Sequence, residues 1–174
     1  MNNLTQLFQH GLTYGAILSL LMSGTLLGGA YFSPEIMLRG YPPEIKARYG
    51  PMSEQSRGHL TLIGMAIGAA LFGTLIVSII RLPLVSGGVL TFSTIFLSTV
   101  IILMTNNLVD LLILDWLIFV TIQPTFVVLP GTEGMPGYQD YGFHFRQFLK
   151  GSVGMLIASL VIAGLTMAVL AVSS

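Results

Sequence analysis

Between Leu12 and Phe32 the chain carries no charged side chain, and three further apolar runs of similar or greater length follow. About 20 apolar residues wound as helix cross a bilayer core, and a helix satisfies its own backbone hydrogen bonds there. Recurrent runs of this kind exclude an ordinary soluble domain. Composition agrees: 8% of the 174 residues are charged, against roughly 25% in soluble proteins. The expected fold class is all-α, a polytopic membrane protein. It has four transmembrane helices in an antiparallel bundle, with a cytoplasmic cap of loops and short interfacial helices. The absence of cysteine excludes disulfides, thiolate catalysis and thiolate metal sites. Zero formal charge and the lack of a basic run argue against nucleic acid. Met1 to Gly11 holds no Lys or Arg, so the first run reads as a retained helix and not as a cleaved signal peptide.

The expected spans are residues 12–32, 59–80, 88–107 and 151–172, within one membrane domain covering 1–174. The connections 34–58 and 108–150 carry Arg39, Lys46, Arg48, Arg57, Arg146 and Lys150, whereas the opposite side carries only Arg81. Cytoplasmic loops collect the excess of Lys and Arg, so both large connections are expected in the cytoplasm and both termini outside the inner (plasma) membrane. Turning the chain at Asn106-Asn107 would give five spans, but it would place Arg146 and Lys150 beside Arg81 and erase the bias. Pro42-Pro43 and Gly50-Pro51 punctuate the first connection and leave room for a short helix over Pro43 to Tyr49. Leu108 to Val120 either extends past the membrane or bends along its surface.

Polar side chains are scarce, so their positions matter. Asn106 and Asp110 are four apart and share a helix face. Asp115 is five from Asp110, about 140° round an α-helix, and faces elsewhere unless the helix bends. An ionised Asp in hydrocarbon costs roughly 2.5–3.5 kcal/mol, so each acid must be interfacial, paired or facing a wet cavity. The stretch PGTEGMPGYQDYGFHFR concentrates Glu133, Asp140, His144 and Arg146 after three turn dipeptides. Tyr138 to Lys150 reads as an interfacial helix with Tyr141, Phe145 and Phe148 on its apolar face. Trp116 suits the membrane interface.

Asp110, Asp115, His144 and Glu133 are the candidates for catalysis. Asn106, Asp110, Asp140, Arg146 and Trp116 are the candidates for ligand binding. The competing structural reading makes the acids interfacial caps or ion-pair partners, and makes the aromatics anchors. There is no His-x-x-x-His or Glu-x-x-His spacing, so no metal site is expected, and no cofactor is indicated. Gly11/Gly15, Gly24/Gly28 and Gly64/Gly68 are spaced for close helix packing, within the bundle or against a second copy or another membrane subunit. Thr91, Thr94, Ser98 and Thr105 form a hydroxyl row that would line a pore in an oligomer, or bond back to helix carbonyls.

The segment NLVDLLILDWLIFV, followed by PGTEG and DYGFHFR, resembles part of small bacterial or archaeal integral membrane proteins without an assigned activity. The resemblance covers about Asn107 to Lys150 and implies no substrate, cofactor or catalytic residue. The expected function is a non-enzymatic membrane subunit, or a binder of a small amphiphile or lipid, with a polar pocket on the cytoplasmic face. One alternative is a membrane enzyme acting on a lipid or polar head group through Asp110, Asp115, Glu133 and His144. The other is an oligomeric channel or carrier lined by the third helix.

Overall fold

The computed structural model describes residues 3–173, and among these the chain is helical with no strand. Helix α1 spans Asn3–Phe32. A 3-10 segment, Pro34–Gly40, and a short helix α2, Pro43–Tyr49, lead to α3, Glu54–Arg81. Helix α4, Phe92–Val109, continues without a break into a π-wound segment, Asp110–Ile122. Short turns then lead to α5, Tyr141–Ser173. Among the described residues four helices are long and apolar enough to cross a membrane. α2 falls where the two proline-containing turns place it.

The helix ends depart from the apolar runs in both directions. α1 begins before Leu12, and α4 begins at Phe92 instead of residue 88. The separate interfacial helix expected over Tyr138 to Lys150 is corrected, because α5 runs unbroken from Tyr141. No residue between Tyr141 and Gly151 interrupts the backbone ladder, so the polar side chains there ride on a long helix. Of the two expectations for Leu108 to Val120, the bend along the membrane surface is corrected, because the segment continues the helix without a break. The ladder changes from α to π winding, and the true connection shrinks to residues 123–140.

Side-chain chemistry accounts for the helix ends. Thr91 and Thr94 form a reciprocal capping box at the start of α4. Gly87 and Gly88, both at positive φ, turn the chain just before it. At the start of α3 the Ser53 hydroxyl accepts from the Ser56 N–H. The Glu35 carboxylate accepts from the Ser53 N–H and hydroxyl, both at 2.7 Å, and from the Tyr49 hydroxyl at 2.8 Å. Burial alone would raise the Glu35 pKa, but these hydrogen bonds outweigh it and hold the group at about 2. The same bond pushes Tyr49 up to about 12, with burial as the larger cause.

Packing centres on α1, which lies against both α3 and α4, while α5 packs on α4. Gly11 and Gly15 explain the close approach of α1 to α4. A Cβ on Gly11 would meet Ile101 at 2.6 Å, and one on Gly15 would meet Thr105 at 2.6 Å. Gly24, Gly28, Gly64 and Gly68 have open space at that position. Asn107 ties α4 to α5, donating to the Phe148 carbonyl at 3.1 Å and the Ser152 hydroxyl at 2.9 Å.

The two connections fold together as a cap with its own core. Ile36, Tyr41 and Ile45 from the first pack with Val127, Leu129 and Tyr138 from the second. The Tyr41 hydroxyl donates to the Val127 carbonyl, and the Arg48 side chain donates to the Gly131 carbonyl at 3.2 Å. Leu129 N–H donates to the Tyr138 hydroxyl at 2.9 Å, and Thr132 closes the loop against both residues.

Candidate functional site

The third helix positions the site. Through α4 the buried residues are Ile95, Ser98, Thr99, Ile102, Leu103, Asn106 and Asn107, which is the spacing of an α-helix with one inward face. Continuing that winding would turn Ile113 and Leu117 inward. Both are 44% exposed. The buried positions are Leu111, Leu114, Phe119 and Val120, and from Leu114 to Phe119 the inward face steps by five residues. The backbone follows: Gln123 N–H bonds the Ile118 carbonyl, and the Thr121 hydroxyl bonds the Trp116 carbonyl, each across five residues.

This winding corrects the expectation that Asp115 faces away from Asp110. A π ladder closes at i+5, so residues five apart stand almost one above the other. Asp110 and Asp115 therefore look into the same cavity, of about 200 Å³. Leu26 of α1 and Ile36, Met37, Gly40 and Tyr41 of the first connection complete its wall, with Phe119 and His144.

His144 comes from the first turn of α5. Its Nδ1 lies 3.0 Å from the Asp115 carboxylate, with the two side chains 8% and 18% exposed. A carboxylate on one imidazole nitrogen fixes the tautomer and orientation of the ring, leaving Nε2 for a ligand. Three neighbours hold the start of α5 in place. Asp140 accepts from the Phe143 N–H at 2.7 Å and so caps the helix. Trp116 donates to the Tyr141 carbonyl at 3.4 Å and packs edge-on against the Tyr141 ring. The Thr121 hydroxyl meets the Tyr141 hydroxyl at 2.9 Å. Trp116 and Thr121 are themselves five apart, so the π winding aligns them against α5 as it aligns the two acids against the cavity.

The structure thus brings Asp110, Asp115 and His144 together and leaves the other candidates outside. Glu133 is exposed in the PGTEG turn and accepts from the Gly131 N–H at 3.0 Å. Its pKa is lowered by its own backbone N–H first and by that of Gly131 second. Arg146 is exposed and pairs with Asp140 at 3.5 Å. Asn106 is buried on the α4 face but does not line the cavity, and Trp116 acts by holding α5. Sequence reasoning missed Tyr41, Met37 and Gly40 of the first connection; nothing in their local pattern marks them as cavity-lining.

The lining limits the chemistry. It offers two carboxylates and an imidazole but no Ser, Thr, Lys or Arg. Tyr41 is buried, which together with the nearby Tyr138 keeps its hydroxyl well above the usual tyrosine range and protonated, donating to Val127. The arrangement can bind hydrogen-bond donors or exchange protons, and it supplies no hydroxyl or amine nucleophile. Among the described residues no group of three His, Asp or Glu is arranged to hold a metal ion. Of the hydroxyl row, Thr91 and Thr94 cap α4 and Thr105 packs on Gly15, whereas the Ser98 hydroxyl is buried without a hydrogen-bond partner among the described residues. No family model, no curated protein and no solved structure matches this chain.

Proposed function

We propose that the chain is a multi-pass membrane protein that binds the polar head of a small amphiphile in the Asp110–Asp115–His144 cavity. One observation carries the reading: three ionisable side chains from two elements converge on a small cavity whose other walls are almost wholly apolar. Ionisable groups are costly beside hydrocarbon, and they gather where a ligand or a proton is handled. The volume suits a head group or a very small molecule, since pockets for drug-sized ligands run to about 300–1,000 Å³. The apolar helices leave a hydrocarbon tail a place in the bilayer. Pairing of His10 with Ser78 and of Ser33 with Ser56 supports antiparallel α1 and α3. The Lys and Arg bias supports a cytoplasmic cap.

The test is small-molecule mass spectrometry of the chain purified in lipid nanodiscs. Wild type is expected to retain a compound that Asp110→Asn and His144→Ala lose while remaining folded. Equal recovery from all three proteins would remove the reading.

A second reading is favoured by the Asp115–His144 pair itself. A His oriented by a carboxylate is the usual form of a general base, with Asp110 as the second proton-handling group. In that case the retained compound is turned over, and His144→Ala abolishes turnover more completely than binding.

A further inference from the structure

The end of the molecule away from the cap presents a different chemistry. Arg81 is the sole Lys or Arg outside the cap-side segments. No Asp or Glu occurs in the segments that make up that end, residues 3–11, 82–91 and 165–173. Among the described residues Arg81 forms no ion pair.

Arg81 also stands at the mouth of an apolar groove of about 400 Å³ between α1 and α3. On α3 the groove runs from Arg81 past Val77 and Gly73 to Ala69, twelve residues or about 18 Å of helix. It exists because its α3 wall is built from small residues: a Cβ on Gly73 would touch nothing within 4 Å. Ile17 and Leu21 of α1 form the facing wall. A long apolar channel ending at an unpaired cation has the shape and charge of one molecule: an acyl chain carrying an anionic head.

We infer that this groove holds an anionic phospholipid, its phosphate on Arg81 and one acyl chain along Gly73 and Ala69. The site is separate from the Asp–His cavity, and it rests on the membrane reading above. The phosphate is that of a lipid, because apart from Arg81 and the Tyr14 and Thr74 hydroxyls the groove is walled by apolar and small side chains, which offer a tail its whole length.

The experiment titrates delipidated, detergent-purified chain with phosphatidylglycerol or phosphatidylcholine of identical acyl chains, read by native mass spectrometry. Wild type is expected to hold one phosphatidylglycerol per chain about five-fold more tightly than phosphatidylcholine, as one basic residue at an anionic surface contributes. R81Q should bring that ratio close to one, and R81K should keep it. G73L fills the groove with a residue that favours helix, and should weaken the first-bound lipid of either kind. A preference that survives R81Q, or first-site binding unchanged in G73L, overturns the assignment. So does displacement of the lipid by excess glycerol phosphate. A chain that does not fractionate with membranes at all defeats the membrane reading instead, which a fractionation of the expressing cells checks independently.

Discussion

The third helix is two helices in one. From Phe92 to Val109 it is α-wound and presents a stripe that locks into glycines of α1. From Asp110 to Ile122 it is π-wound and presents a cavity wall. The first half is dense, with glycine at the contact, and it has nothing for a ligand to use. The second half gains its cavity from its winding: Asp110 and Asp115 share a face because the ladder closes at i+5. One continuous helix thus divides between a packed face and a cavity wall by changing its pitch.

Breaking the α half should have the largest effect. Gly15→Leu forces a side chain into Thr105 and is expected to cost about 3 kcal/mol, the upper part of the usual overpacking range. Thermal unfolding in detergent checks this. Gly24→Leu, made where there is open space, should leave the transition nearly unmoved. Equal losses from the two variants would contradict the division between packed and open glycines.

In the π half, Asp115→Ala should cost about 1–3 kcal/mol, because the buried His144 Nδ1 loses its partner. Asp110→Asn, which breaks no direct pair, should cost less while removing ligand retention in the same preparation. If Asp110→Asn proves the more destabilising of the two, the acids do not have the roles their geometry gives them.

The cap sharpens the contrast from outside the helix. Glu35 is held at about 2, well below its usual range, so its contribution is fully present above about pH 4.5. That contribution is lost as pH falls from there through about 2. Near the surface it amounts to no more than about 1 kcal/mol. Glu35→Gln should therefore flatten the acid limb of a stability–pH curve and leave ligand retention by the π half untouched.

A comparably small effect is expected from Thr121→Val. It removes the bond to the Trp116 carbonyl and the contact with Tyr141, for about 0.5–1.5 kcal/mol. Its readout is specific, however, because loosening the start of α5 should reduce ligand retention through His144 while the packing at Gly15 is unaffected.

Much of this architecture is legible in the residues. The four apolar helices, the short helix between Pro43 and Tyr49, and the close packing at Gly11 and Gly15 all follow from hydrophobic runs, proline and glycine. The shared face of Asp110 and Asp115 does not. Apart from Asp110, Asp115 and Thr121, residues 108–122 are apolar, so no alternation of polar and apolar positions reveals the helical period, and only the assumed α pitch separates the two acids. Glu133 and Asp140 drew attention as scarce acids, yet they serve a turn and a helix cap. A polar residue in a greasy chain marks a constraint without saying which kind.

Composition alone therefore determined the helical, membrane-compatible class, because backbone groups beside hydrocarbon must bond within their own segment. The tertiary structure decided the pitch of the third helix. Packing of Leu114 and Phe119 against the cap and the neighbouring helices selects which side of a largely apolar segment turns inward. That choice, made by contacts distant in sequence, sets two aspartates and a histidine around one cavity.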